Sequence, residues 1–333
     1  MKASLQEIAN RAGVSVKTVS GALNGSNARM ADETRRKIQA IAEDLGYVVN
    51  EAARGLRVGY LPILAIVADE LITTPFATEI LRGLDIEASK SGLRTFAINR
   101  NDDQPIEDLI GEVTQFRPKA VAYAAMYHKQ VEIPAALRGA IRLMVNCSDS
   151  AGVLPAIVPD NEQAATEITQ RLIASGRRRI AFLNLPGVFA SRLREKGFRA
   201  VTEQAGIGPK NSWVHTVRQG GLHHATPASE VGELVRDLMG QANPPDAILA
   251  GNDRIAMEVY FALYRLGRRI PEDVAVGSFD NNIDIAARLD PPLTTMALPH
   301  RTIGEMAGRM MVSGDDLPLM TQVPFQYVER RSL

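Results

Sequence analysis

The sequence of 333 residues has few features of a secreted, membrane or metal-binding protein. Its single cysteine, Cys147, excludes an internal disulfide and any metal site built from several cysteines. No apolar run approaches the ~18 residues that a membrane span needs. The first residues lack the basic stretch, apolar core and small-residue cleavage site of a signal peptide. These absences predict a cytoplasmic protein that does not bind membranes.

Motifs of common enzymes are also missing from the sequence. There is no GxxxxGK[ST] loop to hold phosphate, no GxSxG turn to present a nucleophile and no HExxH helix to bind zinc. The adjacent residues His223 and His224 have no third metal ligand nearby in sequence, which favours a solvated loop. The sequence therefore predicts a protein that is not an enzyme and needs no cofactor or metal.

The charge is balanced overall but not along the chain. There are 38 basic and 38 acidic side chains, so the net charge alone argues against a nucleic-acid partner. Residues 1–60 nevertheless carry nine Lys and Arg against six Asp and Glu, which leaves +3 there and −3 in the rest. A solvated surface would explain this mild asymmetry almost as well. The length favours two or three compact units.

The first sixty residues carry the pattern of a small helical bundle followed by a short linker. Gly13 ends a first helix, and Ser15 is placed to cap a second one whose outward side chains are short and polar. Such a helix is suited to enter a DNA major groove. A third helix is predicted over Asp32–Leu45, with Gly46 as its stop. A helical bundle without a DNA role is the alternative.

The segment Tyr47–Arg57 is short, rich in small residues and interrupted by Gly55. A glycine costs roughly 1 kcal/mol of helix propensity relative to alanine, so this segment is expected to become helical only on a partner. Leu56 is a candidate wedge between base steps in a minor groove. An ordinary linker leucine is the alternative interpretation.

From Pro62 onward, short apolar runs alternate with amphipathic helices, which predicts parallel sheets with helices on both faces. Ligands of such sheets bind at the carboxyl ends of the strands. The predicted strands are Ile63–Val67, Thr95–Ile98, Ala120–Ala124, Leu143–Asn146, Arg179–Leu183, Ala247–Ala250 and Val274–Phe279. The predicted helices are Phe76–Ser91, Asn161–Ser175, Ser191–Gln204 and Arg254–Leu266.

The head and linker resemble the lac repressor (LacI/GalR) family of bacterial transcription regulators. The motifs that carry the resemblance are Leu5–Ser15, Thr18–Ser20, Asn24, Thr34-Arg35, Gly46-Tyr47, Asn50 and Ala53–Leu56. The DNA contacts that the resemblance implies are Leu5, Ser15, Val16, Lys17, Thr18, Ser20, Asn24, Thr34, Tyr47, Asn50, Ala53, Arg54 and Leu56.

Two positions of the head depart from the family pattern. Gly21 stands where many members carry a polar or basic side chain that reads bases, so the operator preference of relatives does not transfer directly. Ala31 replaces the serine that often caps the third helix, and Asp32 is the expected substitute.

The resemblance continues along the chain in Thr74–Phe76, Arg194–Phe198, Asn252-Asp253, Phe279-Asp280 and Pro291–Thr295. It implies a helix-turn-helix head (1–47), a hinge helix (48–60) and a core (61–333) for effector binding and dimerisation. This core is an α/β structure of two Rossmann-like subdomains with the periplasmic-binding-protein type I fold. The expected first subdomain spans 61–158 and 295–322, and the second spans 159–294 and 323–333.

The same resemblance implies an effector site that includes Arg194, Asn252 and Asp280 in the second subdomain. Their guanidinium, amide and carboxylate groups suit the hydroxyls of a sugar or nucleoside. A structural ion pair between Arg194 and Asp280 is the alternative. Phe76, Tyr123 and Asn146 are the candidates from the first subdomain, and each could equally serve packing. Leu298 replaces a polar contact residue of some members.

The sequence thus predicts a transcriptional repressor that is released from DNA by a small sugar-like effector. Its expected partners are a near-palindromic double-stranded operator and a second copy of the chain, in a homodimer or a tetramer. Regulation by a partner protein or by a corepressor is the alternative.

Overall fold

The computed structural model describes residues 3–23, 30–48, 55, 59–71, 77–100, 104–218 and 229–333. The chain divides into two units, Met1–Pro62 and Ile63–Leu333. Within the described ranges, no helix has the length and apolar character needed to cross a bilayer.

The first unit contains the helices α1 (Leu5–Ala12), α2 (Val16–Leu23) and α3 (Asp32–Asp44). Gly13 follows α1 with φ at 72°, a left-handed conformation that favours glycine, and its N–H donates to the carbonyl of Ala9. The backbone N–H of Thr18 donates to Ser15 Oγ at 3.1 Å, so the predicted cap of α2 is present. The small buried core of this unit consists of Ile8, Ala9, Ala12, Val19, Ala22, Ile38 and Ala42.

The start of α3 differs from the prediction. Ala31 is the residue before the helix and makes no side-chain capping bond, while Asp32 is already helical. A capping side chain must lie just before the first helical residue, so Asp32 does not cap α3. Its carboxylate, together with that of Glu33, lies in the first turn, where it interacts favourably with the helix dipole.

The second unit alternates strands and helices. Its strands are β1 (Leu61–Asp69, which begins just before the boundary), β2 (Arg94–Arg100), β3 (Pro118–Val131), β4 (Leu143–Asp149), β5 (Ala156–Pro159), β6 (Ile180–Asn184), β7 (Ser212–Thr216), β8 (Ala247–Ala250), β9 (Ala275–Asp280), β10 (Thr294–Ala297), β11 (Met320–Val323) and β12 (Gln326–Val328). Its α-helices are α4 (Thr78–Lys90), α5 (Ile106–Gln115), α6 (Asn161–Ala174), α7 (Phe189–Gln204), α8 (Val231–Met239), α9 (Asp253–Arg265) and α10 (His300–Val312). A 3-10 helix spans Ala135–Ala140.

These strands form two six-stranded sheets, with the orders β11-β5-β4-β3-β1-β2 and β12-β10-β9-β8-β6-β7. The registers show parallel pairing of β1 with β2, β3 with β4 and β8 with β9, whereas β12 pairs antiparallel with β10. The seven strands and four helices predicted from the sequence are confirmed. Their ends shift by up to three residues, except that β3 continues to Val131, seven residues beyond its predicted end. The strands β5, β7, β10, β11 and β12 are absent from the list of predicted strands.

The chain passes between the two sheets three times. It leaves the first sheet after β5, returns after β10 and enters the second sheet again between β11 and β12. Because β10 lies in the second sheet, the return falls after Ala297 rather than at the expected residue 295. The short β10 carries no alternation of polar and apolar residues, which is why the sequence did not locate this boundary.

Each sheet has helices on both faces. In the first sheet, residues of α4 and α10 pack on one face and those of α5 on the other. In the second sheet, α8 and α9 cover one face and α6 and α7 cover the other. Strands covered on both faces are apolar throughout, as in β8, where all four residues are buried.

The helices α4 and α10 cross in close contact at glycines. A Cβ atom on Gly304 would overlap the carbonyl oxygen of Ile80, and one on Gly83 would overlap the carbonyl oxygen of Arg301. Side chains at either position would push the two backbones apart. This crossing fixes how α10, which follows the return from the second sheet, lies on the first sheet.

We expect Gly304→Ala to lower the free energy of unfolding by about 1–3 kcal/mol, because the added methyl must displace the α4 backbone. Gly111→Ala is the matched control, since Gly111 also lies in a helix but a Cβ there meets open space. The control is expected to gain up to about 1 kcal/mol from helix propensity. Urea denaturation measures the free energy of unfolding of both variants. Equal values would show that α4 and α10 can move apart at the crossing without loss of stability.

Candidate effector site and DNA-binding head

The candidate effector site lies at the carboxyl ends of the strands in the second unit. Asp69 is the last residue of β1, Asp280 is the last residue of β9, and Asn252 lies two residues after the end of β8. Arg194 reaches this edge from α7. Parallel strands bring these groups to one edge of each sheet, as the sequence predicted.

Arg194 is a buried cation, with only 4% of its surface exposed. Its Nε donates to Asn161 Oδ1 at 2.8 Å, and its Nη1 donates to the carbonyl oxygen of Gly251 at 2.6 Å. The guanidinium also lies over the ring of Phe279, 4.3 Å from the ring centroid. These contacts hold the guanidinium in one orientation and leave Nη2 directed towards Asp280.

Asp280 lies 4.0 Å from Arg194, measured between Oδ1 and Nη2, which is too long for a hydrogen bond. Burial raises the pKa of Asp280 above its ordinary value, and the charges of Arg194 and Arg254 oppose that rise. A tight structural ion pair, the alternative raised from the sequence, would bring these groups within hydrogen-bond distance. The geometry instead leaves hydrogen-bonding capacity on both partners.

Asn252 and Asp253, which lie in one of the family motifs, make hydrogen bonds that stabilise the fold. Asn252 caps α9, because its Oδ1 accepts the backbone N–H of Ile255 at 2.9 Å. Asp253 accepts from the hydroxyl of Thr295 at 2.9 Å and from the backbone N–H of Asn282 at 2.6 Å. Asp253 therefore fixes the loop after β9, and the amide oxygen of Asn252 is occupied by the helix.

Tyr123 is fully buried in the first sheet, so its ring offers no face to an effector. Its hydroxyl donates to Asp69 Oδ2 at 2.6 Å, and burial raises the pKa of the phenol. Lys129 Nζ lies 2.7 Å from the same oxygen, and Arg100 lies 3.7 Å away. Within the described residues Asp69 Oδ1 makes no hydrogen bond. Tyr123 thus orients Asp69, a carboxylate that the sequence interpretation missed.

Asn146 adopts a left-handed conformation, with φ at 55°, and is almost fully buried. Its Nδ2 donates to the carbonyl oxygens of Ala125 and Met126, both at 2.9 Å. These carbonyls lie where the register between β3 and β4 shifts. The amide nitrogen therefore holds the bulge of β3, while Oδ1 has no hydrogen-bond partner among the described residues.

The bulge brings His128 against the second subdomain. The imidazole lies edge-on to the ring of Phe189, with centroids 5.1 Å apart, and its Nδ1 is 3.1 Å from Asn161 Nδ2. His128 and Asn161 were also missed from the sequence. Asp69 lies two residues after the end of a predicted strand, which is a usable signal, whereas Asn161 follows β5, a strand absent from the list of predicted strands. A bulge in β3 leaves no comparable signal for His128.

The head places its candidate DNA contacts on and around α2. Lys17 is exposed, while Thr18 and Ser20 are half-buried. The hydroxyls of Ser15 and Thr18 lie 2.8 Å apart at the start of the helix. Leu5, Val16 and Tyr47 are half-buried and pack against the head core, and Thr34 is half-buried in the first turn of α3.

Some candidates lie outside the described residues. They are Asn24, Asn50, Ala53, Arg54 and Leu56 of the head and hinge, Phe76 of the core, and the pair His223 and His224.

Comparison with known proteins identifies the family. The pattern described as bacterial regulatory proteins, lacI family, matches residues 4–50, and that of a periplasmic binding protein-like domain matches residues 169–333. The sucrose operon repressor of Escherichia coli is 32% identical over 326 residues, which cover 97% of each chain. The chain belongs to the lacI family of bacterial regulatory proteins.

Two further comparisons agree with this lacI-family assignment. The ribose operon repressor of Escherichia coli K12 is 26% identical and covers 97% of this chain and 96% of its own. The lac repressor dimer bound to operator and the anti-inducer ONPF has a TM-score of 0.81 at 20% identity, covering 100% of this chain and 99% of its own. The fold prediction is confirmed, and the protein is a DNA-binding transcriptional regulator.

We expect the difference in melting temperature between Asp280→Asn and the wild type to shift in favour of the variant between about pH 5 and about pH 8. The folded protein holds the proton of Asp280 more tightly than the unfolded chain does, because its pKa is raised. Ionisation therefore lowers the free energy of unfolding as the pH rises from the ordinary pKa towards the raised one. Asparagine keeps the shape and tolerates the positive φ of 110°.

Asp284→Asn is the control for this measurement, because Asp284 is exposed and pairs with the exposed Arg288. Its melting temperature is expected to change little at either pH. A difference in melting temperature between Asp280→Asn and the wild type that is the same at both pH values would show that the pKa of Asp280 is not raised in the folded protein.

Proposed function

We propose that this regulator is a repressor whose binding to a near-palindromic operator is controlled by a neutral sugar-like effector in the cleft between the two sheets. The observation that carries the proposal is the buried Arg194, whose Nη2 faces Asp280 without a hydrogen bond between them. A buried charge is costly unless it is paired. A hydroxyl between these groups would accept from Nη2 and donate to the carboxylate.

The arrangement of carboxylates favours a polyhydroxyl ligand. Asp280 offers acceptor oxygens from the second sheet, and Asp69 Oδ1 offers another from the first sheet. A carboxylate accepts hydroxyl hydrogen bonds well, and a guanidinium donates in a fixed fork. The relatives whose printed names refer to sucrose and ribose operons support a sugar as the ligand class. Asn146 Oδ1 and Asn252 Nδ2 are further proposed contacts, together with Phe76.

The proposed mechanism is linkage between two sites. An effector that contacts both sheets binds most tightly to one degree of cleft closure, and it shifts the population towards that state. The hinge that includes Asn50, Ala53, Arg54 and Leu56 is the proposed route from the cleft to DNA. Release from the operator on effector binding is the proposed direction.

A homodimer is the proposed assembly, because a two-fold pair of heads reads two half-sites of a near-palindrome. The helix α9 presents Phe261 and Tyr264, which are 51% and 57% exposed, on one surface of the core. A second copy of the chain would cover such an apolar surface. Lys17, Thr18, Ser20 and Asn24 are the proposed contacts in the major groove.

Arg194→Lys is expected to weaken sugar binding at least about tenfold, because lysine keeps the charge but cannot donate to Asn161, Gly251 and the effector at once. Calorimetry with sucrose, ribose and cellobiose first selects the sugar that binds the wild type. Arg199→Lys is the control, since Arg199 lies exposed on the same helix and pairs with Glu195. Unchanged binding in Arg194→Lys, or no sugar binding at all, would count against the effector proposal and favour regulation by a partner protein.

Lys17→Ala is expected to weaken binding to the selected DNA by about tenfold, in line with 1–3 kcal/mol per specific contact. The DNA is obtained by selecting from a random double-stranded library with the full chain, and we expect a near-palindromic consensus. Lys210→Ala removes the same charge from an exposed position of the core and is expected to change the affinity less than about twofold. Equal losses in both variants would mean that α2 does not read DNA.

A further inference from the structure

His128 occupies a buried position where the first subdomain contacts the second. It lies in the bulge of β3 and is only 5% exposed. One side of the imidazole meets the ring of Phe189 at the start of α7, and its Nδ1 faces Asn161 at the start of α6. Both neighbours belong to elements that pack on the second sheet, so His128 bridges the two subdomains.

The contacts of Asn161 show which of its side-chain atoms is the oxygen and which is the nitrogen. Arg194 Nε can only donate, so the atom of Asn161 that it reaches must be the oxygen, Oδ1. The amide nitrogen Nδ2 therefore points the other way and donates to the carbonyl oxygen of Pro159 at 3.2 Å and to His128 Nδ1 at 3.1 Å. A donor on Nδ2 requires a lone pair on Nδ1.

His128 is therefore neutral, with its proton on Nε2. Burial, together with the positive charge of Arg194, lowers the pKa of His128 to about 4, which agrees with this protonation state. A proton on Nδ1 would oppose the amide N–H of Asn161 and break the link. Asn161 would then be free to rotate its amide, and the acceptor that fixes Arg194 Nε would be lost.

We propose that His128 is a positioning residue, which orients the effector-binding guanidinium of Arg194 through the side chain of Asn161. The inference rests on the proposed role of Arg194 in effector binding. It adds that the first subdomain takes part in preparing this group, because the acceptor at Nδ1 comes from β3. Movement of the bulge away from α6 would release Asn161 and loosen Arg194, so cleft opening and effector affinity are coupled through one hydrogen bond.

Two substitutions separate this role from packing against Phe189. His128→Phe keeps a ring of similar size but has no acceptor at Nδ1. His128→Asn loses the ring but places an amide oxygen near the position of Nδ1. A positioning role predicts that asparagine preserves the order of Arg194 and that phenylalanine does not. A packing role predicts the reverse.

The readout is hydrogen exchange of the Arg194 Nε–H in the ¹⁵N-labelled full chain without any ligand. We expect exchange to be about tenfold faster in His128→Phe, as the loss of one buried hydrogen bond implies, and close to the wild type in His128→Asn. Wild-type exchange in His128→Phe, or fast exchange in both variants, would overturn the proposal. The ¹⁵N shifts of the wild-type imidazole must also show Nδ1 unprotonated and Nε2 protonated.

Asn161→Asp provides a second measurement if His128→Asn does not fold. A carboxylate oxygen opposite Nδ1 requires a proton there, so the imidazole shifts are expected to show a protonated Nδ1. Unchanged shifts would mean that the two side chains do not interact. Titration with sucrose then separates the two proposals. One outcome would contradict the effector assignment but leave the positioning role intact. In that outcome the Arg194 Nε–H exchanges slowly only when His128 is present, while sucrose binding does not depend on Arg194.

Discussion

The candidate effector site of this regulator is built around a permanent positive charge placed inside the protein. An arginine keeps its charge at any physiological pH, and a buried charge is stable only where hydrogen bonds and opposite charge replace water. Asn161, the carbonyl of Gly251 and the faces of Phe279 and Phe325 provide this surrounding for Arg194. On the side that faces Asp280, the guanidinium has no hydrogen-bond acceptor among the described residues. A polar ligand that supplied an acceptor at this position would gain binding free energy from the buried charge.

The polar residues near Arg194 have different roles. Several of them serve the scaffold: Asn252 caps α9, Asp253 holds the loop after β9, and Tyr123 orients Asp69. Asp280 makes no hydrogen bond with Arg194, and Asp69 accepts the hydroxyl of Tyr123 with one oxygen, Oδ2. Because the two carboxylates lie on different sheets, a ligand that reaches both also senses the distance between the subdomains. In the proposed mechanism, this placement would join recognition of the effector to closure of the cleft.

Much of the fold and part of the site could be predicted from the sequence. Wholly apolar strands, glycine stops and the head motifs are local features of the sequence, so β1, β8 and α2 lie where they were predicted. The short strand β10 follows no local pattern, because its place in the second sheet is set by pairing with β9 and β12.

The prediction of the site failed where contacts join residues far apart in the chain. Tyr123 was expected near the end of a strand, yet β3 continues to Val131, and the hydroxyl of Tyr123 donates to Asp69, 54 residues earlier. The position of His128 is set by the bulge in β3, and no residue type in the sequence predicts that bulge. Arg194 and Asp280 were named as candidates because both lie in recognisable motifs. The contacts that orient them, from Asn161 and Gly251, became visible only in the structure.

Linkage between the effector site and the head is tested by the affinity of the full chain for its selected DNA. Fluorescence anisotropy measures this affinity with and without a saturating concentration of the sugar that binds the wild type. Linkage between the cleft and the head predicts that the sugar weakens DNA binding, and that DNA weakens sugar binding by the same factor. A DNA affinity that stays the same when the cleft is saturated would contradict the account.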